Sequence, residues 1–369
     1  MKALSDLTDT PCNYLIERAV AQGRIPIAYT CSMVPDALLS VPPFFPVKAR
    51  APGVEGTESA DIYLSSVICS YTRSILEYVL DGRYDFCRGW IFTASCDHMR
   101  RCYDNLQYLR RPEFIHILDV PHKITDEGRR WLADEISILA EHLADQFNVD
   151  MSKAAIDSAI AERNEILAVL SSIGALRKRE QPPISGVEFH SIVAAYRSTP
   201  SDLFLPILLE LRESLNARPG VTPRARLMLV GGTIDDPSVI AAVESQGGLV
   251  VADRFCTGSI PGITPIPRCS DPFEGLADHV FATTLCPRMM EDFPRRISTI
   301  LDAAREYRVD GIVIESIKFC DTWGIEAAAC ADAIRSHGIP VLRIEREYRP
   351  SGEAQVKTRV QAFIESMGR

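Results

Sequence analysis

The sequence is poor in lysine, with seven lysines among its 40 basic residues, and it has no long run of charge of either sign. Acidic residues number 49, giving a formal charge of -9. Without a basic block, the chain lacks the electrostatic footprint of a nucleic-acid or anionic-membrane partner. Long apolar runs are missing too. The longest mostly apolar stretch, Leu203 to Leu211, falls far short of the roughly 20 residues that a bilayer span requires. The opening segment, Met1 to Tyr14, carries acidic residues and no apolar signal-peptide core, so a cytoplasmic location is expected. Also absent are C-x-x-C, H-E-x-x-H, G-x-G-x-x-G and the P-loop pattern, and no serine-histidine-aspartate order stands out. Zinc-protease, nucleotide-binding and hydrolase readings therefore lack their residues.

What the chain has in quantity is cysteine, eleven in 369 residues. Its length is about twice that of a common domain, which predicts two domains with cores of their own and no need for disulfides. In a reducing compartment, unpaired thiols serve as small buried hydrophobes or as metal ligands.

Apolar runs alternating with helical periodicity give the organisation. Strands are expected at Arg24 to Thr30, Asp61 to Ile68, Trp90 to Ala94 and Glu113 to Val120, with helices opening at Pro35 to Leu39, Thr72 to Leu80 and Ser95 to Arg101. From Thr125 to Glu180 the pattern is helical, a long connection closed by Pro182 and Pro183, and Ser185 to Leu215 is again largely helical. A second series follows, with strands at Arg226 to Val230, Leu249 to Ala252, Gly311 to Ser316 and Pro340 to Ile344, and helices at Pro237 to Ser245, Pro294 to Tyr307 and Ile325 to His337. The repeated unit of strand, loop and helix implies two open parallel α/β sheets. The expected division is residues 1–195, an N-terminal domain with a helical extension, and residues 196–369.

Three cysteines fall where an apolar run gives way to a helix start: Cys69 in S-S-V-I-C-S-Y-T-R, Cys96 in T-A-S-C-D-H-M-R-R and Cys320 in S-I-K-F-C-D-T-W-G. In open α/β sheets ligands bind beyond the carboxyl ends of the strands. Facing sheets would set Cys69 and Cys96 from one half against Cys320 from the other. A helix N-terminus also lowers a thiol's pKa and favours its metallation. Soft thiolates without neighbouring histidines favour an iron-sulfur centre, with tetrahedral zinc as the alternative. The remaining eight cysteines read as packing.

These strings and their order resemble the 2-hydroxyacyl-CoA dehydratase and benzoyl-CoA reductase family over nearly the whole chain. Further matches are Y-T-C-S-M-V-P-D-A-L-L at Tyr29 to Leu39, D-R-F-C-T-G-S at Asp253 to Ser259 and the closing R-I-E-R-E-Y segment. The resemblance implies two flavodoxin-like domains with a 4Fe-4S cluster at their interface, its ligands matching Cys69, Cys96 and Cys320, and one iron left without a protein thiolate. It further implies a homologous second subunit in a heterodimer, an ATP-hydrolysing iron-sulfur activator as electron donor, and an acyl-CoA substrate reduced by one electron to a ketyl radical anion. The S-C-D-H-M-R-R-C-Y-D-N string and the arginine-rich composition favour an aromatic acyl-CoA reductase of the benzoyl-CoA type. The alternatives are an (R)-2-hydroxyacyl-CoA dehydratase and a non-catalytic electron relay. Two departures bear on the relay reading: Asp36 stands where glutamate is commoner, and Ser40-Val41-Pro42-Pro43 replaces the usual Ala-Gly.

Ser32, just beyond the first strand, is the candidate catalytic residue, placed to hydrogen-bond a thioester carbonyl or a leaving hydroxyl; its bland role is to cap the Pro35 helix. His98 either reaches the cluster or an acyl-CoA phosphate, or belongs to a solvated helix face. His116 and His122 read as core or loop residues. Gly231-Gly232 reads as a tight turn rather than a phosphate cradle, and Glu315 and Lys318 as a structural ion pair.

Overall fold

The computed structural model describes residues 2–260, 262–349 and 352–368. Two four-stranded sheets, all parallel, organise it. The first contains β1 (Ile25–Tyr29), β2 (Phe44–Lys48), β3 (Gly89–Thr93) and β4 (Phe114–Leu118) in the order β2-β1-β3-β4. The second contains β5 (Ala225–Gly231), β6 (Gly248–Arg254), β7 (Gly311–Ile317) and β8 (Val341–Arg346) in the order β6-β5-β7-β8. Each half repeats the strand order that begins a flavodoxin-like sheet, with its switch point between the first and third strands.

The inner strands of each sheet are buried on both faces, which is why they are apolar runs and not alternating ones, whereas the edge strand β8 alternates. Along β1, Ile27 and Tyr29 pack into one core and Ala28 into another; Ile91 of β3 joins the first, Trp90 and Phe92 the second. In the other sheet Met228, Val230, Ile312 and Ile314 face one way, and Leu227, Leu229 and Val313 the other.

The helices are α1 (Lys2–Thr8), α2 (Tyr14–Ala21), α3 (Ser70–Leu80), α4 (Asp97–Leu109), α5 (Asp126–Phe147), α6 (Lys153–Ala175), α7 (Gly186–Tyr196), α8 (Ser201–Ala217), α9 (Ser238–Glu244), α10 (Pro272–Thr283), α11 (Phe293–Glu306), α12 (Asp321–Ser336) and α13 (Glu353–Ser366). The long connection starts and stops where its sequence says. Thr125 caps α5 through Gly128 N-H, with Asp126 and Glu127 against the helix dipole; Asn148 ends it in the left-handed region at φ 52. Ser185 and Glu188 form a reciprocal capping box on α7. The halves interlock: α10 from the second packs on α5 of the first, while α7 packs against α9 and β6.

Two expectations fail. Residues 35–39 do not open an α-helix, since only a 3-10 turn, Leu38–Ser40, forms there. Asp61 to Ile68 is no strand: it holds a 3-10 turn, Ala60–Ile62, and then a loop. Thr57 and Asp61, bonded to each other and both held by Arg73, and Glu77, which takes the N-H groups of Ser59 and Ala60, fold this segment back on α3 and away from any ladder. The second strand is instead β2, whose Pro46 hides it in the sequence. An edge position tolerates the missing N-H.

The two carboxyl edges face each other and are bonded across. Arg288, five percent exposed, reaches from the second half to the carbonyls of Ala94 (3.1 Å), Pro121 (3.0 Å) and Val120 at the ends of β3 and β4. Tyr348, beyond β8, receives a hydrogen bond at its hydroxyl from Ala51 N-H (2.9 Å) and donates from its own backbone N-H to Ser70 Oγ (2.7 Å). Among the described residues, no helix is long and apolar enough to cross a membrane.

Candidate functional site

The three helices α3, α4 and α12 begin at this junction, and their N-cap residues are Cys69, Cys96 and Cys320. Serine, threonine, aspartate or asparagine would be the ordinary choice for such positions, since their side chains satisfy the free N-H groups of the first turn. None of the three thiols makes a capping hydrogen bond of standard geometry, and none is in a disulfide. Cys96 follows β3 beside the switch point and Cys320 follows β7, whereas Cys69 follows a loop rather than the strand expected from the sequence.

One histidine ties the three loops together. Cys69 N-H donates to His98 Nδ1 at 3.2 Å, and His98 Nε2 lies 3.5 Å from Asp321 Oδ2. His98 stands two residues after Cys96, and Asp321 directly follows Cys320. Because Nδ1 accepts, the ring proton sits on Nε2 and points at the carboxylate. The solvated-face role for His98 is thereby corrected: the residue is seven percent exposed. Asp97 makes a different pair, 3.5 Å from Arg101 on its own helix.

At Cys69 and Cys96 the thiol pKa rises where a fall was expected. Burial pushes Cys69 up to about 11, against the hydroxyl and N-H of Thr72, and pushes Cys96 up to about 12, against the N-H of Met99. Desolvation outweighs the helix termini, and repulsion from neighbouring sulfurs adds to it: Cys320 acts on both, and Cys69 on Cys96. Among the described residues, no group of three or more histidine, cysteine, aspartate or glutamate side chains is set to hold a single metal ion.

Ser32 lies beyond β1 and lines a cleft with Asp36, Arg197, Arg254, Cys256 and His279. It is not a helix cap, because the nearby 3-10 turn has Ala37 at its N-cap position. Burial by itself would raise the Asp36 carboxyl, but the Arg163 and Arg197 guanidiniums reverse this and hold it below the usual carboxylate range. Arg163 is one percent exposed and pairs directly with Asp36.

Gly231 closes β5 against the β7 backbone, where a Cβ would lie 2.3 Å from Glu315 O. A close approach of chains, not a phosphate, explains it. Glu315 pairs with Arg346 at 2.8 Å and Lys318 with Glu347 at 3.6 Å, both structural. His116 stacks on Phe114 and meets His142, and the His122 carbonyl accepts from Met290 N-H; neither histidine reaches the cysteines.

Three cysteines that the sequence reads as packing, Cys31, Cys256 and Cys286, also stand near this junction. Cys31 lies two residues beyond β1, and Cys256 and Cys286 line the cleft with Ser32. Position beyond a strand was the available signal for Cys31 and Cys256; Cys286, in the loop after α10, had none.

Comparison with known proteins bears on this arrangement. Residues 31–367 match the family described as 2-hydroxyglutaryl-CoA dehydratase, D-component. "Putative dehydratase subunit YjiM" of Escherichia coli (strain K12) is 26% identical over 96% of this chain and 94% of its own length. The (R)-phenyllactyl-CoA dehydratase beta subunit of Clostridium sporogenes is 22% identical over 98% and 97%, and the (R)-2-hydroxyglutaryl-CoA dehydratase subunit beta of Acidaminococcus fermentans 22% over 96% and 95%. These matches give the aromatic reductase preferred from the sequence no specific support and favour its dehydratase alternative. With a match that spans most of the chain, the protein belongs to the 2-hydroxyglutaryl-CoA dehydratase D-component family of enzyme subunits.

Proposed function

We propose that the chain is the cluster-carrying subunit of a 2-hydroxyacyl-CoA dehydratase, with Cys69, Cys96 and Cys320 as ligands of a 4Fe-4S cluster. The observation that carries this reading is the His98 bridge, which fixes the three cysteine loops to one another at the meeting of the carboxyl edges. When bound, such a cluster supplies a low-potential electron to the thioester. Ser32 offers its hydroxyl to the acyl-CoA carbonyl or to the departing hydroxyl. Asp36 is engaged with Arg163 and serves to hold the Ser32 loop. His98 and Asp321 orient the ligands, and the buried surroundings of Cys69 keep water from it. The partners in this reading are a homologous second subunit and an ATP-hydrolysing iron-sulfur activator, in the cytoplasm.

Anaerobic purification with the partner and activator, followed by iron and sulfide quantification, EPR and assay with 2-hydroxyacyl-CoA thioesters, tests it. Iron bound by the wild type, lost in Cys96→Ser, and elimination of water from the thioester are expected. Unchanged iron in Cys96→Ser refutes the ligand assignment, and reduction of an aromatic thioester without dehydration refutes the reaction.

A further inference from the structure

We propose that Cys31, Cys256 and Cys286 are a second set of thiolate ligands and hold an additional polynuclear iron-sulfur centre beside the first. The topology supplies the first argument. β1 and β3 are neighbours, so Cys31 and Cys96 leave the same edge of one sheet on either side of its switch point. In the other sheet, β6 and β7 flank β5, so Cys256 and Cys320 leave the same edge around Gly231 and Gly232. Cys256 N-H donates to Gly232 O at 2.8 Å. Its loop is stapled at both ends, because Asp253 accepts from Arg177 (2.7 Å) and from the N-H (2.6 Å) and hydroxyl (2.7 Å) of Ser259. Cys286 completes the set from the loop after α10, with its carbonyl held by Arg296 at 3.1 Å.

Unpaired charge supplies the second. Arg254 is four percent exposed, lines the same cleft, and its Nε has no hydrogen-bond partner. Cys256 and Cys286 line that cleft beside it. Arg288 is as deeply placed, two residues after Cys286, with side-chain hydrogen bonds to backbone carbonyls and Met289 Sδ and an unpartnered Nε. A buried guanidinium without a counter-ion is costly. With neutral thiols the charge stays uncompensated, whereas thiolates on iron provide the compensating anion. Loading releases the thiol protons and takes up ferrous and ferric iron in equal number together with sulfide, which gives a [4Fe-4S]2+ core with no further oxidant.

This inference deepens the reading of the first three cysteines, and iron stoichiometry separates the two. The full chain is purified or reconstituted anaerobically, and iron and acid-labile sulfide are measured per chain beside far-UV circular dichroism. About eight irons in the wild type, falling by about half in a Cys256→Ser/Cys286→Ser variant and unchanged in Cys330→Ala, are expected for two four-iron centres. About four irons, or full wild-type iron in the double variant, overturn the second centre while leaving the first intact. If the double variant fails to fold, the wild-type stoichiometry decides alone. Retention of all iron in Cys96→Ser, with loss in the double variant, overturns the first centre and not the second.

Discussion

His98 joins Cys69 to Asp321: its Nδ1 accepts the Cys69 N-H at 3.2 Å, and its Nε2 stands 3.5 Å from the Asp321 carboxylate. A residue from α4 thus holds the starts of α3 and α12, elements 251 residues apart counted from Ser70 to Asp321. Outer groups of this type commonly contribute about 10- to 100-fold to metal affinity. His98→Ala is expected to lower the chain's resistance to iron chelation by that factor, with its circular dichroism retained. Loss of iron at the wild-type rate in a chelator competition would contradict the bridging role.

The pair of Arg163 and Asp36 makes a prediction about stability. Breaking a buried pair by removing one partner costs about 3–5 kcal/mol, while replacing both by apolar groups costs much less. Arg163→Met is expected to lower the urea midpoint by an amount in that range, and Arg163→Met/Asp36→Leu to recover part of it. The pH dependence follows from the depressed Asp36 carboxyl. Its contribution is complete above the unfolded value of about 3.9 and is lost as the pH falls through the lower folded value. Wild-type stability should therefore drop more steeply than that of Asp36→Asn as the pH falls below about 4. Equal slopes in urea titrations across that range would count against it.

Strands that are continuous apolar runs, such as Ile25–Tyr29 and Gly311–Ile317, were legible because burial on both faces leaves one compositional signature. Phe44–Lys48 was not, because Pro42, Pro43 and Pro46 interrupt the run and only the edge position makes them harmless. Asp61 to Ile68 misled for the opposite reason. Ile62 is 75% exposed and Val67 57%, only Leu64 and Ile68 of its apolar residues reach the core, and Asp61 binds Arg73 of α3. At the site, Cys69, Cys96 and Cys320 were legible from the helix starts that follow them. Cys31, Cys256 and Cys286 have no such helix, and only tertiary structure brings their loops together. Arg254 carries no local mark at all, since its lack of a carboxylate is a property of the folded interior.

Ser32 separates catalyst from relay. Its side chain lines the cleft and caps nothing, so Ser32→Ala should leave iron content and melting temperature unchanged. Loss of a hydrogen bond worth about 1.4 kcal/mol would weaken acyl-CoA binding or turnover roughly tenfold. The measurement is acyl-CoA titration of the anaerobic protein beside steady-state assay with partner and activator. A variant indistinguishable from the wild type in both would favour the relay.

The contact of Gly231 with Glu315 predicts opposite effects for two glycine substitutions. A Cβ at Gly231 would lie 2.3 Å from Glu315 O and 2.8 Å from its Oε2, and Gly231 and Glu315 are partners in the β5 and β7 register. Backbone cannot yield there as a flexible side chain would, and Glu315 is itself fixed by Arg346 at 2.8 Å. Gly231→Ala must push β7 outward, at a cost of about 1–3 kcal/mol. The displaced strand runs directly into Phe319, held at φ 62, and Cys320, so the strain should also reduce iron retention. Gly324, in the first turn of α12, has nothing within 4 Å of such a Cβ. Gly324→Ala is expected to stabilise the chain by up to about 1 kcal/mol through helix propensity and to leave iron unchanged. Urea unfolding and iron analysis of the two variants provide the check. An unaltered midpoint and iron content in Gly231→Ala would mean that the β5 and β7 ends are free to separate, and that the Cys320 loop does not depend on their contact.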